Sequence, residues 1–280
     1  MRAPRNAKRR DCSDTRLAKR PSLAHIGGVS DIQPAIPAAT LVLIRDRAGA
    51  PPDLLMVERA KAMVFAGGML VFPGGRIDPG DYVLAAALGG DAEDTPARIA
   101  AIRETIEEAG VPVGLTPAPD AATLAAIRAG LHAGKSFATL LDAHGLALDL
   151  DALTWFARWL PAHTHMRIFD TRFYLARWPA GAAEPEVDDT ENVRLLWASA
   201  AQVLTDCDAD RAKVIFPTRR NLERLAQCAD YDHAVAHALA YPPRTITPFA
   251  EDRDGVPHLC IPDDLGYPVT AEKLTGALRG

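Results

Sequence analysis

Three glutamates lie close together in one short segment of this 280-residue chain. Glu104, Glu107 and Glu108 follow one another at helical spacing, three and four positions apart. At about 100° per residue, this spacing places all three carboxylates on one face of a helix. Like charges at these positions repel one another, so the face needs a cation partner. Hard divalent ions with oxygen ligands, Mg²⁺ or Mn²⁺, fit best, and the alternative is a solvated charged face balanced by nearby arginines.

The helix that carries these glutamates has sequence signals at both ends. Thr95 and Pro96 offer an N-cap followed by proline at the first helical position, and Gly110 offers a C-terminal stop. The sequence therefore predicts a helix over about 96 to 109. The face opposite the glutamates carries Ile99, Ile102 and Ile106, which predicts that it is buried.

A segment rich in glycine and proline precedes this helix. Residues 66 to 80 contain Gly67-Gly68, Pro73-Gly74-Gly75 and Pro79-Gly80, too many breakers for a regular element. Such a segment suits a loop that approaches a ligand closely, since glycine leaves room for the backbone.

The other predicted elements are strands and helices of ordinary length. Strands are expected at 38–45 and 53–59, separated by a turn, and at 166–178 and 191–197. Helices are expected between 120 and 163, at 198–205 and at 216–240. The last forty residues are proline-rich, with one candidate strand at 259–261.

Composition and charge limit the classes of function. The chain is 48% hydrophobic and 24% charged, typical of a soluble globular protein, and no apolar run reaches the 18 or so residues of a membrane span. The net charge is −5, but residues 1–30 hold eight Lys or Arg against two Asp, which leaves the rest near −11. An acidic body suits cations and makes nucleic acid an unlikely partner.

The cysteines and the N-terminus bear on location. The four cysteines, Cys12, Cys207, Cys228 and Cys260, form no paired motif, which favours a reducing, cytoplasmic compartment. Residues 1–33 are interpreted as a basic, disordered tail, and the alternative is a mitochondrial transit peptide.

These motifs together resemble the signature of the Nudix hydrolases, G-x5-E-x7-R-E-U-x-E-E-x-G-U, in which U is aliphatic. The positions that match are Gly75, Arg103, Glu104, Glu107, Glu108, Gly110 and Val111.

Three positions depart from that signature. Asp81 stands where the family has Glu, Thr105 replaces an aliphatic residue, and Asp81 and Arg103 are 22 residues apart, 14 more than in the family. The extra residues, rich in Ala and Gly over 83–94, are expected to loop out, which weakens any role for Asp81.

A split signature resembles the branch that includes the peroxisomal CoA and acyl-CoA diphosphatases. Members of that branch carry L-L-T-x-R-S-x3-R-x3-G-x3-F-P-G-G before the signature. Arg59, Gly68 and Phe72 through Gly75 match it in register, whereas Ala60 and Val64 depart from it. The resemblance thus implies Arg59, Gly68, Phe72 and Gly75 as substrate-binding residues.

The resemblance also implies roles for the site residues. Glu104 and Glu108 would be the principal metal ligands, with Glu107 and the Gly74 carbonyl as further ligands. Arg103 would pair with a neighbouring carboxylate. The catalytic base would be Glu107 or Glu108, with Glu191 as an outside candidate.

The fold that the resemblance implies is an α/β/α sandwich with a mixed sheet. We expect the domain at 34–240, a helical insertion at about 115–163, and a C-terminal appendage at 241–280 packed on the domain. The expected function is Mg²⁺- or Mn²⁺-dependent cleavage of a diphosphate in a small molecule, CoA or acyl-CoA first. The alternatives are an ADP-ribose or dinucleotide diphosphatase and a non-catalytic nucleotide-binding regulator, and a homodimer stays open.

Overall fold

A mixed eight-stranded sheet lies between two layers of helices. The computed structural model describes residues 34–61, 63, 66–161, 167–187 and 192–274. In chain order the elements are β1 (Ile36–Arg47), β2 (Ala50–Arg59), β3 (Leu70–Val71), β4 (Gly74–Arg76), α1 (Pro79–Leu88), α2 (Asp94–Ala109), β5 (Leu115–Thr116), α3 (Ala121–His132), α4 (Phe137–His144), β6 (Ala147–Leu148), a 3-10 turn (Leu150–Ala152), β7 (Thr154–Trp159), β8 (Phe169–Arg177), β9 (Asn192–Ser199), α5 (Ala200–Asp208), α6 (Phe216–Leu225), α7 (Tyr231–Ala240), β10 (Thr245–Ile246), β11 (Phe249–Arg253), β12 (Val256–Cys260) and β13 (Ala271–Lys273).

The sheet divides at its central strand. Its order is β10-β7-β8-β1-β2-β3, with β4 also paired to β1 and β9 also paired to β2. β1 runs parallel to β8 along one edge. On its other edge it pairs with β4 near Ala38–Thr40 and with β2 from Ile44 onward, both antiparallel. The glycines of β4 therefore lie beside the first half of β1, before the point where β2 begins to pair with it.

Alternation along β1 gives the sheet two apolar faces. Leu41 and Leu43 pack with residues of α1 to α4, whereas Val42 and Ile44 pack with residues of α5 to α7. Successive side chains of a strand point to opposite faces, so one strand contributes to both cores. The predicted α/β/α sandwich with a mixed sheet is confirmed.

The helix predicted from the glutamate segment exists, with a different start. α2 begins at Asp94, and the Asp91 side chain accepts hydrogen bonds from the N–H groups of Glu93 and Asp94, at 2.9 and 2.7 Å. The prediction of Thr95 as N-cap is therefore wrong, because Asp91 already satisfies the first turn. The predicted stop is confirmed, since Gly110 adopts φ 65°.

Four other segment predictions need correction. The segment expected to loop out forms most of α1, and the loop over 66–80 contains the short strands β3 and β4. The turn expected between the first strands is reduced to Ala48 and Gly49. Residues 154–159, expected to be helical, form β7, because pairing with β8 and β10 outweighs the local helical spacing.

The C-terminal part adds helices and a separate small sheet. The helix predicted over 216–240 is two helices, and Asp230 caps the second by accepting the His233 N–H. β11, β12 and β13 form a three-stranded antiparallel sheet. Among the described residues, no helix is both long and apolar enough to cross a bilayer.

Candidate active site

A cavity of about 600 Å³ lies at the divided part of the sheet. Its lining combines a carboxylate cluster, several arginines and an aromatic wall. The lining includes Arg59, Phe72, Gly74, Gly75, Arg76, Asp78, Arg103, Glu104, Glu107, Glu108, His132, Trp159, Arg167, Phe169, Thr171, Phe173, Ile215, Pro217 and Thr218.

α2 supplies the carboxylates because its opposite face is anchored in the core. Ile99, Ile102 and Ile106 are fully buried against the sheet. Burial of three such side chains stabilises this orientation by several kcal/mol, at about 2 kcal/mol each. The glutamates of the same helix therefore face the cavity, and the helical face predicted from spacing is confirmed.

Glu108 is the most deeply held of the three. It is 5% exposed, its Oε2 accepts the Gly74 N–H at 2.9 Å, and its Oε1 lies 3.9 Å from Arg59 Nη1. Burial raises its pKa to about 8, helped by the charge of Glu104 and opposed by the Gly74 N–H, the Asn192 side chain and Arg59. A carboxylate in this place is costly without further positive charge.

Glu104 lies against the glycine-rich segment. Its Oε1 accepts a hydrogen bond from Arg103 Nη1 at 2.8 Å, and a Cβ on Gly75 would overlap the Glu104 carboxylate. Burial raises the pKa of Glu104 to about 7, while the charge of Arg103 opposes the rise. A side chain at position 75 would therefore displace the Glu104 carboxylate from this position, which glycine avoids.

Arg103 and Asp81 form a buried ion pair that corrects the expectation for Asp81. Arg103 Nε and Nη2 donate to the two Asp81 oxygens at 3.0 and 2.9 Å, and Asp81 is 2% exposed. Nη2 also donates to the Arg76 carbonyl at 3.0 Å. The inserted residues continue α1 beyond its first turn, which carries Asp81 at the same distance after Gly75 as the Glu of the family signature. Because the inserted residues come after Asp81 in the chain, the ion pair between Asp81 and Arg103 is kept.

The carboxylates fit a cation by their chemistry. Glu104 and Glu108 are held by Arg103 and by the Gly74 N–H, and Glu107 Oε2 lies 3.6 Å from Arg103 Nη1. No three acidic, histidine or cysteine side chains in the described part of the chain are arranged as a metal cage. The oxygen donors are those that Mg²⁺ and Mn²⁺ take, and the burial of Glu108 and Glu104 calls for positive charge.

The remaining candidates divide into three groups. Arg59, Phe72 and Gly75 line the cavity with the carboxylates. Gly68, with φ 73°, closes the turn between β2 and β3 by donating its N–H to the Arg59 carbonyl, and it is not among the described residues that line the cavity. Glu191 lies outside the described residues.

Several lining residues were not predicted from the sequence. His132 comes from the end of α3, Trp159 from β7, Arg167 from the segment before β8, and Thr218 from the first turn of α6. Asn192, 1% exposed at the start of β9, hydrogen-bonds Glu108 through its side chain and opposes the rise of the Glu108 pKa. The Pro217-Thr218 pair after an apolar run was the one local signal for a helix start near a site.

Comparisons with known proteins agree with this geometry. A scan of protein-family models gives no match, and neither does a search of curated proteins. Among solved structures, the chain is 32% identical to a NUDIX hydrolase from Alicyclobacillus acidocaldarius, with a TM-score of 0.65 over 73% of this chain and 97% of that one.

Two further solved structures are more distant. The NUDIX domain of Shewanella oneidensis NrtR, complexed with ADP ribose, is 14% identical over 70% of this chain and 88% of that one, with a TM-score of 0.40. An Ap4A hydrolase from C. elegans is 17% identical over 62% of this chain and 87% of its own, with a TM-score of 0.35. The family assignment rests on the first comparison, because the 32% identity covers 97% of the other hydrolase. The signature residues on α2 support the same assignment. The chain belongs to the Nudix hydrolase family.

Proposed function

We propose that the protein hydrolyses the diphosphate linkage of CoA or acyl-CoA in a reaction that depends on Mg²⁺ or Mn²⁺. The products are a phosphopantetheine and adenosine 3',5'-bisphosphate. The observation that carries the proposal is the buried carboxylate pair, Glu104 and Glu108, facing a 600 Å³ cavity that arginines also line. Carboxylates alone would repel a diphosphate, so cations must bridge the two.

Glu104, Glu107 and Glu108, with the Gly74 carbonyl, are the proposed metal ligands. A bound divalent ion would polarise the phosphoryl group and lower the pKa of the attacking water. The cost of burying Glu108 as an anion would then be offset by the ion.

The chain's own residues orient the reactants and move a proton. Arg103, fixed by Asp81, holds Glu104 through its Nη1 hydrogen bond of 2.8 Å. Arg59, whose Nη1 lies 3.9 Å from Glu108 Oε1, would contact a substrate phosphate. Glu107 or Glu108 takes the proton of the attacking water, and Glu191 remains the outside candidate.

The CoA assignment rests on Arg59, Gly68 and the segment from Phe72 to Gly75, which resemble the CoA-directed branch. The ADP-ribose or dinucleotide alternative keeps the same chemistry with a different group. A purely binding regulator is disfavoured, because every acidic residue of the helical half is kept and a binding module needs no such cluster.

Product analysis by mass spectrometry tests the proposal. The purified protein is incubated with CoA, acetyl-CoA, ADP-ribose and NADH, with and without Mg²⁺ or Mn²⁺. Metal-dependent release of adenosine 3',5'-bisphosphate from CoA is the expected result. AMP from ADP-ribose or NADH alone would keep the chemistry and reject the CoA assignment, and no cleavage of any substrate would favour the regulator.

We propose further that the partner of this protein is a small molecule containing a diphosphate and that the protein is cytoplasmic. Gel filtration with light scattering distinguishes a monomer from the homodimer.

A further inference from the structure

The wall of the cavity opposite α2 contains the first turn of α6. Ile215, Pro217 and Thr218 line the cavity there. α2 packs on one face of the sheet and α6 on the other, so the cavity extends from the glutamates to the N-terminus of α6. A substrate long enough to span it meets both.

The first turn of α6 has backbone donors that find no acceptor within the helix. Its N-cap, Ile215, has no side-chain oxygen to accept a hydrogen bond, and the first intrahelical bond here runs from Arg219 N–H to the Ile215 carbonyl at 3.0 Å. The N–H groups of Phe216 and Thr218 therefore have no intrahelical acceptor. Such an end carries partial positive charge and favours anions.

Thr218 gives a second, independent indication of a ligand. It is 3% exposed and lines the cavity, yet its hydroxyl makes no hydrogen bond with any residue in the described part of the chain. The hydroxyls of Thr105 and Thr205, also on helices, donate to carbonyls one turn earlier at 2.7 and 2.8 Å. Among the described residues, the Thr218 hydroxyl oxygen is not one of the polar atoms closed off from solvent without a partner, so it is open to the cavity, where a ligand can supply its acceptor.

The cavity lining also includes arginines without acidic partners among the described residues. Arg167 and Arg76 line the cavity and are exposed, and neither has an ion pair among the described residues. Arg219 and Arg220, on the same helix, are by contrast tied to carboxylates, Glu223 among them. The cavity thus has an acidic floor on α2 and positive groups without acidic partners elsewhere on its lining.

We propose that the N-terminus of α6 and the Thr218 hydroxyl form a subsite for a second phosphate of the substrate, a phosphate monoester remote from the diphosphate that is cleaved. This inference rests on the proposed function. A nucleoside 3'-phosphate, as in CoA, has such a group, whereas ADP-ribose has none. The subsite would make the enzyme select bisphosphorylated nucleotides.

Calorimetric binding of product nucleotides tests the subsite without turnover. Adenosine 3',5'-bisphosphate and AMP are titrated into the protein in the presence of Mg²⁺. Wild type is expected to bind the bisphosphate at least about tenfold more tightly than AMP, since a hydrogen bond to a charged group has that effect. Thr218→Val should lose the preference, and Thr218→Ser should keep it.

Thr171→Val is the matched control, because Thr171 lines the same cavity on β8. The control should retain the preference for the bisphosphate. Equal binding of both nucleotides by wild type, or a preference that survives in Thr218→Val, would overturn the inference. Inorganic phosphate that binds as tightly as the bisphosphate would assign the subsite to a free anion and overturn it as well.

The two proposals fail in different ways. If no diphosphate is cleaved but the preference that depends on Thr218 is present, the proposed hydrolysis fails alone. If CoA is cleaved while wild type and Thr218→Val bind both nucleotides alike, the subsite fails alone.

Discussion

The two ends of the cavity are built in opposite ways. The floor comes from one helix, with three carboxylates within five consecutive residues, Glu104 to Glu108. The opposite wall is assembled from β7, β8 and α6, which contribute Trp159, Phe173 and Thr218. The floor therefore carries residues of the family signature, whereas these residues of the wall lie outside it.

The two ends are also stabilised differently. The floor holds buried carboxylates that need positive charge, and Arg103 supplies part of it. In the wall, Asn221 Oδ1 accepts from Trp159 Nε1 at 3.3 Å and from Tyr267 OH at 2.8 Å, and the buried Arg224 guanidinium lies 5.2 Å from the Tyr267 ring centroid. Changes in the floor should thus affect kcat and metal binding, and changes in the wall should affect KM.

The largest effect is expected at Glu108. Glu108→Gln removes the negative charge while keeping the shape and the acceptor for the Gly74 N–H. We expect metal-dependent kcat to fall by about 10²- to 10³-fold or more, because a principal electrostatic group is lost. Steady-state kinetics on the substrate identified by mass spectrometry measures this.

Glu186→Gln is the control for that variant, since its side chain is exposed. It should retain wild-type kinetics, and both variants should keep the circular dichroism spectrum of the wild type. Unchanged turnover in Glu108→Gln would show that α2 takes no part in the mechanism. The floor and the wall would then not differ in their role in catalysis.

The next largest effect is expected on stability, at the buried ion pair between Asp81 and Arg103. Asp81→Asn leaves Arg103 buried without its main counter-charge, so we expect a loss of about 3 kcal/mol in the free energy of unfolding. Asp78→Asn is the matched control, because Asp78 is more exposed and lies 3.7 Å from Arg103, and it should cost less than about 1 kcal/mol. Urea unfolding compares them, and equal stability of the two variants would show that the buried pair is not what fixes Arg103.

The same contrast explains which parts could be predicted from the sequence. The floor depends on local periodicity, so the helix, its glycine stop and its carboxylate face could all be predicted. The wall depends on which distant strands meet, and the local spacing of residues 154–159 predicts helix because the partner strand β8 lies elsewhere in the sequence. Spacing along the chain also understates the role of Asp81, because the inserted residues continue α1 after Asp81 and leave its ion pair with Arg103 in place.

A third test uses the pH dependence of the metal-free protein. Burial raises the pKa of Glu104 and Glu108 from 4.5 to about 7 and about 8, so between pH 4.5 and 8 the folded state binds more protons than the unfolded state. Stability should therefore fall as pH rises through this window, by about 1.4 kcal/mol per pH unit for each carboxyl that is protonated in the folded state alone. Thermal melts in EDTA from pH 5 to 8 measure the slope.

Two additions sharpen that test. Glu108→Gln should flatten the slope and be more stable than wild type at pH 8 without metal, since no charge is then buried at that position. Mg²⁺ or Mn²⁺ should raise the melting temperature most at pH 8, where ligands are deprotonated. A metal-free protein whose stability rises from pH 5 to 8 would contradict the charge assignment of the floor.

The smallest effect is expected where the C-terminal segment supports the wall. Tyr267→Phe removes the hydroxyl that donates to Asn221 and keeps the ring that packs edge-on to Trp159 at 5.8 Å. We expect a loss of about 1 kcal/mol in stability and a rise of a few fold in KM with kcat unchanged. Tyr241→Phe is the control, because its ring lies tilted against that of His237 at 4.9 Å between centroids and no hydrogen bond of its hydroxyl occurs among the described residues. If kcat falls in Tyr267→Phe as far as KM rises, the wall also positions the reacting phosphate, and the division between a catalytic floor and a selective wall does not hold.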